Sequence, residues 1–333
     1  MKHPYEDLPA RAFWKSGVAA FGPLALGDLS RPKFPIAGAR IATAGSCFAQ
    51  HIGAHLRERG FAFVDVEPAP DELAPAERPR FGYGLYSARY GNVYTARQLR
   101  QLFERAAGGF VPRETVWRRD GRCYDPFRPN IEPDGFASAE AVAASRRAHL
   151  GRVAGLLAAT DVFCFTFGLT EAWIDRDDGA VFPSCPGVIA GDFDDARFAF
   201  HDFSHDEVLA DVEALIAIAR KANPAMRFLL TVSPVPLTAT ASGAHVLTAT
   251  MHAKSVLRAV AGELADRHDF VDYFPAYEMI ASAPARAVFF EPNLRSVSPQ
   301  GVAHVMAAFF AAHAAASDAG SPAGAAKAPT AIR

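Results

Sequence analysis

Two hydrophobic rhythms alternate along the chain from about residue 40 onward: short continuous apolar runs, and longer stretches in which every third or fourth residue is apolar. Arg40-Ile41-Ala42-Thr43-Ala44 is the first run, and Gly45-Ser46 follows it. Phe48, Ile52 and Leu56 then fall four apart, which predicts a helix over Phe48 to Arg59, closed by Gly60 at its C-terminal end. Phe61 to Val66 restarts an extended pattern, and the Pro/Glu-rich stretch from Glu67 to Pro79 reads as a surface loop. A helix is expected over Thr95 to Arg105 and another over Ser138 to Ala158. The second leads into Asp161-Val162-Phe163-Cys164-Phe165-Thr166, a run apolar enough for a strand covered on both faces. Ser204-His205-Asp206-Glu207 spells a capping box. The helix it opens places Val208, Val212, Leu215, Ile216 and Ala219 inward, stops at Asn223-Pro224 and feeds the strand Arg227 to Val232. A helix over Ala249 to Ala265, a strand over Phe270 to Tyr273 and a last helix over Pro299 to about His313 complete the series.

Strands that alternate with helices imply a parallel sheet joined by right-handed crossovers, with helices on both faces. The five strands counted here predict an α/β fold, a three-layer α/β/α flavodoxin-like domain over residues 39–315. Residues 1–38, rich in aromatics and proline, read as an N-terminal arm packed onto that domain. Two excursions interrupt the repeat, at 105–135 and 173–203. The Ala/Gly/Pro/Ser composition of 316–333 predicts a disordered tail.

Composition narrows the function. With 34 Lys and Arg against 36 Asp and Glu, the chain lacks the clustered positive excess that nucleic-acid binding requires. No segment approaches the roughly 20 apolar residues of a membrane helix, so the expected location is the cytoplasm. The four cysteines, Cys47, Cys123, Cys164 and Cys185, have neither disulfide-framework nor zinc-site spacing and read as reduced thiols. No metal and no cofactor is expected, and the oligomeric state is left open.

In a parallel sheet of this type, ligands bind beyond the carboxyl ends of the strands. At the first such junction, Ala44-Gly45-Ser46-Cys47-Phe48-Ala49-Gln50, a glycine permits a sharp turn and a hydroxyl stands at a helix N-terminus, where negative charge is favoured. The plainer role for such a serine is an N-cap.

Gly45-Ser46-Cys47-Phe48-Ala49 is the signature of the GSCFA family, whose members resemble the SGNH (GDSL-like) esterases. Further resemblance lies in Ala88-Arg89-Tyr90-Gly91-Asn92-Val93-Tyr94, Gly168-Leu169-Thr170-Glu171-Ala172-Trp173, Val232-Ser233-Pro234-Val235 and Ser298-Pro299-Gln300-Gly301-Val302. The resemblance implies the SGNH-hydrolase fold and a nucleophilic Ser46. It also implies an oxyanion hole from the backbone N–H groups of Ser46 and Cys47, with Gly91 and Asn92 assisting. Where the superfamily has Gly-x-Asn-Asp, this chain has Gly168-Leu169-Thr170-Glu171, which offers the Thr170 hydroxyl as a donor and Glu171 to orient a base or bind a substrate hydroxyl.

The fourth block departs further. Asn293 and Ser296 stand where the superfamily places its Asp and His, and neither titrates as a base near pH 7. His245 is therefore taken as the base, ahead of His252 and His304, and Cys47 is a rival nucleophile. Trp117-Arg118-Arg119-Asp120, with Arg122 and Tyr124, suits either a sugar or phosphate contact or a solvated hairpin. The expected function is a serine esterase or O-acyltransferase acting through a Ser46 acyl-enzyme on a small acylated, carbohydrate-like molecule. The alternative is a degenerate SGNH-like protein that binds a glycan or a protein partner.

Overall fold

The computed structural model describes residues 2–319, with side chains through residue 314. Its core is a four-stranded parallel sheet. In chain order the elements are β1 (Ile41–Gly45), α1 (Ala49–Glu58), α2 (Ala96–Ala106), β2 (Trp117–Arg119), β3 (Arg122–Tyr124), α3 (Ala139–Ala159) and β4 (Val162–Phe167). They continue with β5 (Glu171–Asp175), β6 (Val181–Phe182), β7 (Phe198–Asp202), α4 (His205–Ala222), β8 (Arg227–Val232), α5 (Val246–Arg267), β9 (Val271–Phe274), α6 (Ala276–Ala281) and α7 (Pro299–Ala319). The central sheet runs in the order β1-β4-β8-β9, with Gly45 opposite Thr166 at the carboxyl end of the first pair.

Alternation within the strands builds the three layers. Phe163, Phe165, Phe167, Phe228, Leu230 and Val232 face one side, where Leu99 and Phe103 of α2, Val153 and Leu156 of α3, Val212 and Leu215 of α4 and Leu257 and Leu264 of α5 cover them. Val162, Cys164, Leu229 and Phe274 face the other, against Ile52 and Leu56 of α1, Met279 of α6 and Val305 and Phe309 of α7. Every residue of β4 is buried, as a strand covered on both faces requires. The helix starts follow local chemistry: Thr95 and Ser138 cap α2 and α3, and Ser204 with Glu207 forms the capping box of α4.

The expected second strand, Phe61 to Val66, shrinks to one parallel bridge between Phe63 and Ile41. The outer edge of β1 is shared: Val64 N–H bonds to Ile41 O, whereas further along Ser87 N–H bonds to Thr43 O and Thr43 N–H to Ser87 Oγ. With Phe63 standing for a strand, the order is that of a flavodoxin-like sheet, and the topological switch point falls between β1 and β4. The last helix runs to Ala319, past the expected end near His313. The expectation for 320–333 lies outside the described residues.

Residues 105–135 contain the β2–β3 hairpin, and the second excursion, 173–203, continues an antiparallel sheet in the order β6-β5-β7 that begins at Glu171. The two excursions share a small core of Trp117, Phe127, Ala180, Phe182, Ala190 and Phe198. Trp117 is buried in it, and the Arg119 guanidinium donates to the carbonyls of Gly187, Val188 and Ile189. Both are therefore engaged in joining the excursions, and the ligand-contact role considered for this stretch does not follow from the fold.

Two buried histidines make stability pH-dependent. His149 Nδ1–H donates to the Glu67 carboxylate at 2.7 Å, and burial, then Arg128, lowers its pKa to about 4. Burial likewise brings His313 down to about 4. Below an unfolded pKa of about 6.5 the unfolded chain takes up protons that the folded form refuses until a lower pH, so stability falls on acidification. Denaturant titrations at pH 7.5 and pH 5 should differ by on the order of 2 kcal/mol for each histidine. Equal stability at the two values would contradict neutral imidazoles in the core.

Candidate active site

Gly45 has φ +146°, and a side chain there would overlap the carbonyl oxygen of Thr166 on the adjacent strand. The glycine brings β1 against β4 and turns the chain so that Ser46 stands above the sheet at the switch point. Ser46 does not cap α1. The helix begins at Ala49, its N-cap residue Phe48 makes no side-chain cap, and the buried Ser46 hydroxyl has no hydrogen-bond partner among the described residues. A buried hydroxyl left unpaired costs about 1–3 kcal/mol.

Three of the sequence blocks converge on this serine. Val93 N–H donates to Gly45 O at 2.9 Å, which docks the Gly91-Asn92 turn beside it. Gly168 and Leu169 N–H both donate to Tyr94 O, and a Cβ on Gly168 would lie 2.9 Å from Ser46 Cβ. The N–H groups of Cys47 and Gly91 donate to no protein acceptor among the described residues, so both are free for an oxyanion. The Asn92 side chain is set by Tyr86, whose hydroxyl donates to Oδ1, and by a 3.0 Å bond from Nδ2 to Tyr94 Oη.

Other expected roles are not available. Ser46 N–H donates to Thr166 O at 3.2 Å and is not a free oxyanion donor. The Thr170 hydroxyl donates to Asp202 Oδ1 at 2.6 Å, so it too is committed. Gly168 acts as a spacer between Ser46 and Tyr94, with its N–H engaged. Glu171 accepts from Thr240 Oγ1 at 2.7 Å and lines a cavity of about 300 Å³ with Tyr94, Leu169, Trp173 and Phe200. Burial raises the Glu171 pKa. Cys47 is exposed.

His245 is not brought to the serine. It is the exposed N-cap of α5, where Nδ1 accepts the Leu247 N–H at 3.2 Å. His252 is exposed with Nε2 3.8 Å from Asp202, and His304 stacks on Phe289. Asn293 and Ser296 bind each other, Nδ2 to Oγ at 3.0 Å, and tie their own loop.

The group that α5 does deliver is Lys254, about 14 Å along the helix axis from His245. It is fully buried and donates to Gly168 O at 2.7 Å, one residue contact from Ser46. No carboxylate among the described residues acts on it. Burial lowers its pKa to about 7, with Cys47 opposing and the Arg295 charge adding to the fall. A buried amine without a counterion is unusual unless it is held neutral for chemistry. The sequence carried one signal of it: Lys254 lies in register with Thr250, Leu257, Ala261 and Leu264 on the buried stripe of an amphipathic helix.

No metal-ligating cluster occurs among the described residues, and no helix among them is long and apolar enough to cross a membrane. A sequence model of the GSCFA family matches residues 40–309. No curated protein matches the chain. Among solved structures, one similar chain is a protein from Streptococcus pneumonia provisionally described as a platelet activating factor. It is 16% identical, with 48% of this chain and 67% of that chain covered and a TM-score of 0.29. Another is a carbohydrate esterase family 3 protein from Talaromyces cellulolyticus, 15% identical, with 65% of this chain and 87% of that one covered and a TM-score of 0.27.

Proposed function

The chain belongs to the GSCFA family, and from the geometry around Ser46 we propose that it is an SGNH-type serine esterase or O-acyltransferase in which Lys254 replaces the usual histidine. The observation that carries this function is the pairing of a buried, unpartnered hydroxyl with a buried, uncountered amine across Gly168. No polar group among the described residues bonds to the Ser46 hydroxyl, which leaves it free to turn toward the amine, directly or through one water.

Ser46 Oγ attacks the ester carbonyl carbon as its proton passes to the neutral Lys254 amine, and the carbonyl electron pair moves onto oxygen facing the Cys47 and Gly91 N–H groups. Collapse expels the alcohol, which takes the proton from the Lys254 ammonium and leaves acyl-Ser46. Water or a sugar hydroxyl then attacks the acyl group, Lys254 accepting the proton and returning it to Ser46. The neighbouring cavity of about 300 Å³ presents Trp173 and Phe200 for stacking and Glu171 and Thr240 for hydrogen bonds, a lining suited to a carbohydrate.

A fluorophosphonate should label the protein once, and peptide mapping should place the adduct on Ser46 and not on Cys47. Labelling and hydrolysis of p-nitrophenyl acetate should both vanish in Ser46→Ala. An adduct on another residue, or labelling that survives the substitution, overturns the assignment and returns the protein to a binding role.

A further inference from the structure

The pleat of the small antiparallel sheet sets one wall of the cavity next to the serine. Side chains two apart on a strand share a face. Glu171 and Trp173 of β5 therefore lie on one face, with Asp202 and Phe200 of β7 as their ladder partners. Glu171, Trp173 and Phe200 line the cavity of about 300 Å³ together with Tyr94 and Leu169. Tyr94 O accepts the N–H groups of Leu169 and Gly168, and Gly168 packs against Ser46, so this wall ends at the nucleophile. The Trp173 and Phe200 rings have centroids 6.0 Å apart and planes inclined by 70°, which makes a corner and not a stack.

Among the described residues that line this cavity, Glu171 alone is charged, and no Lys, Arg or His stands there. Glu171 Oε1 accepts from Thr240, whereas Oε2 accepts no hydrogen bond and the carboxylate forms no ion pair among the described residues. The exposed His252 stands 3.8 Å from Asp202 and is not paired with Glu171. Like charges opposite each other on a ladder are unfavourable, so the Glu171–Asp202 pair is a cost that no fixed positive charge offsets. A neutral sugar stacks on the same rings but leaves that charge uncompensated. A cation meets both features, since aromatic faces and a carboxylate attract it alike. We infer that the cavity is a cation subsite: the acylated substrate carries a positively charged nitrogen that rests on Trp173 and Phe200 and pairs with Glu171 while its ester reaches Ser46. The inference rests on the esterase or acyltransferase reading above, and it names the substrate class, an acylated small molecule bearing an ammonium group.

The test sets each cation against an uncharged counterpart of similar shape. Calorimetry on Ser46→Ala compares choline with 3,3-dimethyl-1-butanol, for a quaternary ammonium, and glucosamine with glucose, for a primary amine on a sugar. In one pair or the other the cation should bind about tenfold or more tightly, and which pair it is gives the source of the charge. Adding Glu171→Gln, which keeps an acceptor for Thr240, should bring that preference toward unity. Adding Trp173→Leu should weaken the cation more than its counterpart, as loss of a merely apolar wall would not. In the wild type, kcat/KM for the O-acetyl ester of the favoured cation should exceed that of its counterpart's ester by a similar factor. No preference in either pair, or one that survives Glu171→Gln, overturns the cation subsite, and so does a binding preference with no matching preference in a Ser46-dependent kcat/KM. A Glu171-dependent preference without any Ser46-dependent turnover sustains the subsite and overturns the esterase.

Discussion

Lys254→Met should abolish turnover and at the same time stabilise the protein. General-base catalysis contributes about 10²–10⁴-fold, so hydrolysis should drop by that order, and Lys254→Arg should fall as far because a guanidinium keeps the charge and the donor but cannot accept a proton at neutral pH. The stability change has the opposite sign. An amine pulled down to about 7 against an ordinary value of 10.5 burdens the fold wherever the unfolded chain is still protonated. Wild-type stability therefore rises as pH increases from about 7 toward 10.5, and the advantage of methionine is largest near pH 7 and shrinks by pH 10. Methionine of similar length fills the same space, so a gain of a few kcal/mol is expected, on the order of the burial penalty. Denaturant titrations at pH 7 and pH 9.5, read with the pH profile of kcat/KM, check both halves. A wild-type acid limb near pH 7, or slightly above it, belongs with the same amine. Undiminished turnover in Lys254→Met would remove the residue from the mechanism.

Gly45→Ala should be the most damaging small substitution in the site. The added methyl would overlap the Thr166 carbonyl oxygen and lie 2.8 Å from Thr166 Cβ and 2.9 Å from Thr166 N, in a backbone conformation at φ +146° that L residues rarely adopt. Backbone strain and overpacking together amount to about 3–5 kcal/mol, because the obstacle is the backbone of a central strand and cannot swing aside. If the chain still folds, β1 must part from β4 at its carboxyl end, and displacing Ser46 by about 1 Å costs about 10²-fold in rate. Gly179→Ala is the comparison, since Gly179 has φ +71° with nothing near its missing Cβ and should lose only about 1–2 kcal/mol. Thermal or denaturant midpoints of the two variants measure the difference. Equal, mild losses would mean that β1 and β4 are not held as tightly as the Gly45–Thr166 register implies.

Much of the fold was legible in residue spacing. The continuous apolar run at β4, the four-residue periodicity of α1 and the capping box at Ser204 are local features, set by side-chain period and by orphan N–H groups within a single turn. The same locality misled at Phe61 to Val66, where an extended pattern made one bridge because Ser87, far along the chain, took the rest of the edge of β1. Thr170 was equally opaque: its hydroxyl reads as a donor in the sequence, and only the pairing of Glu171 with Asp202 on β7 brings the carboxylate that claims it.

By itself, then, the sequence determined the α/β alternation, the position of Ser46 at a strand-to-helix turn, and the lack of a titratable acid and base at Asn293 and Ser296. Which groups meet the serine was decided by tertiary structure. Each turn of α5 advances about 5.4 Å, so the way the helix docks on the sheet buries Lys254 and leaves His245 exposed at its start, and burial lowers the pKa of an amine that is a cation elsewhere. Local physics fixes what each segment is; the long-range packing of segments fixes what its side chains can do.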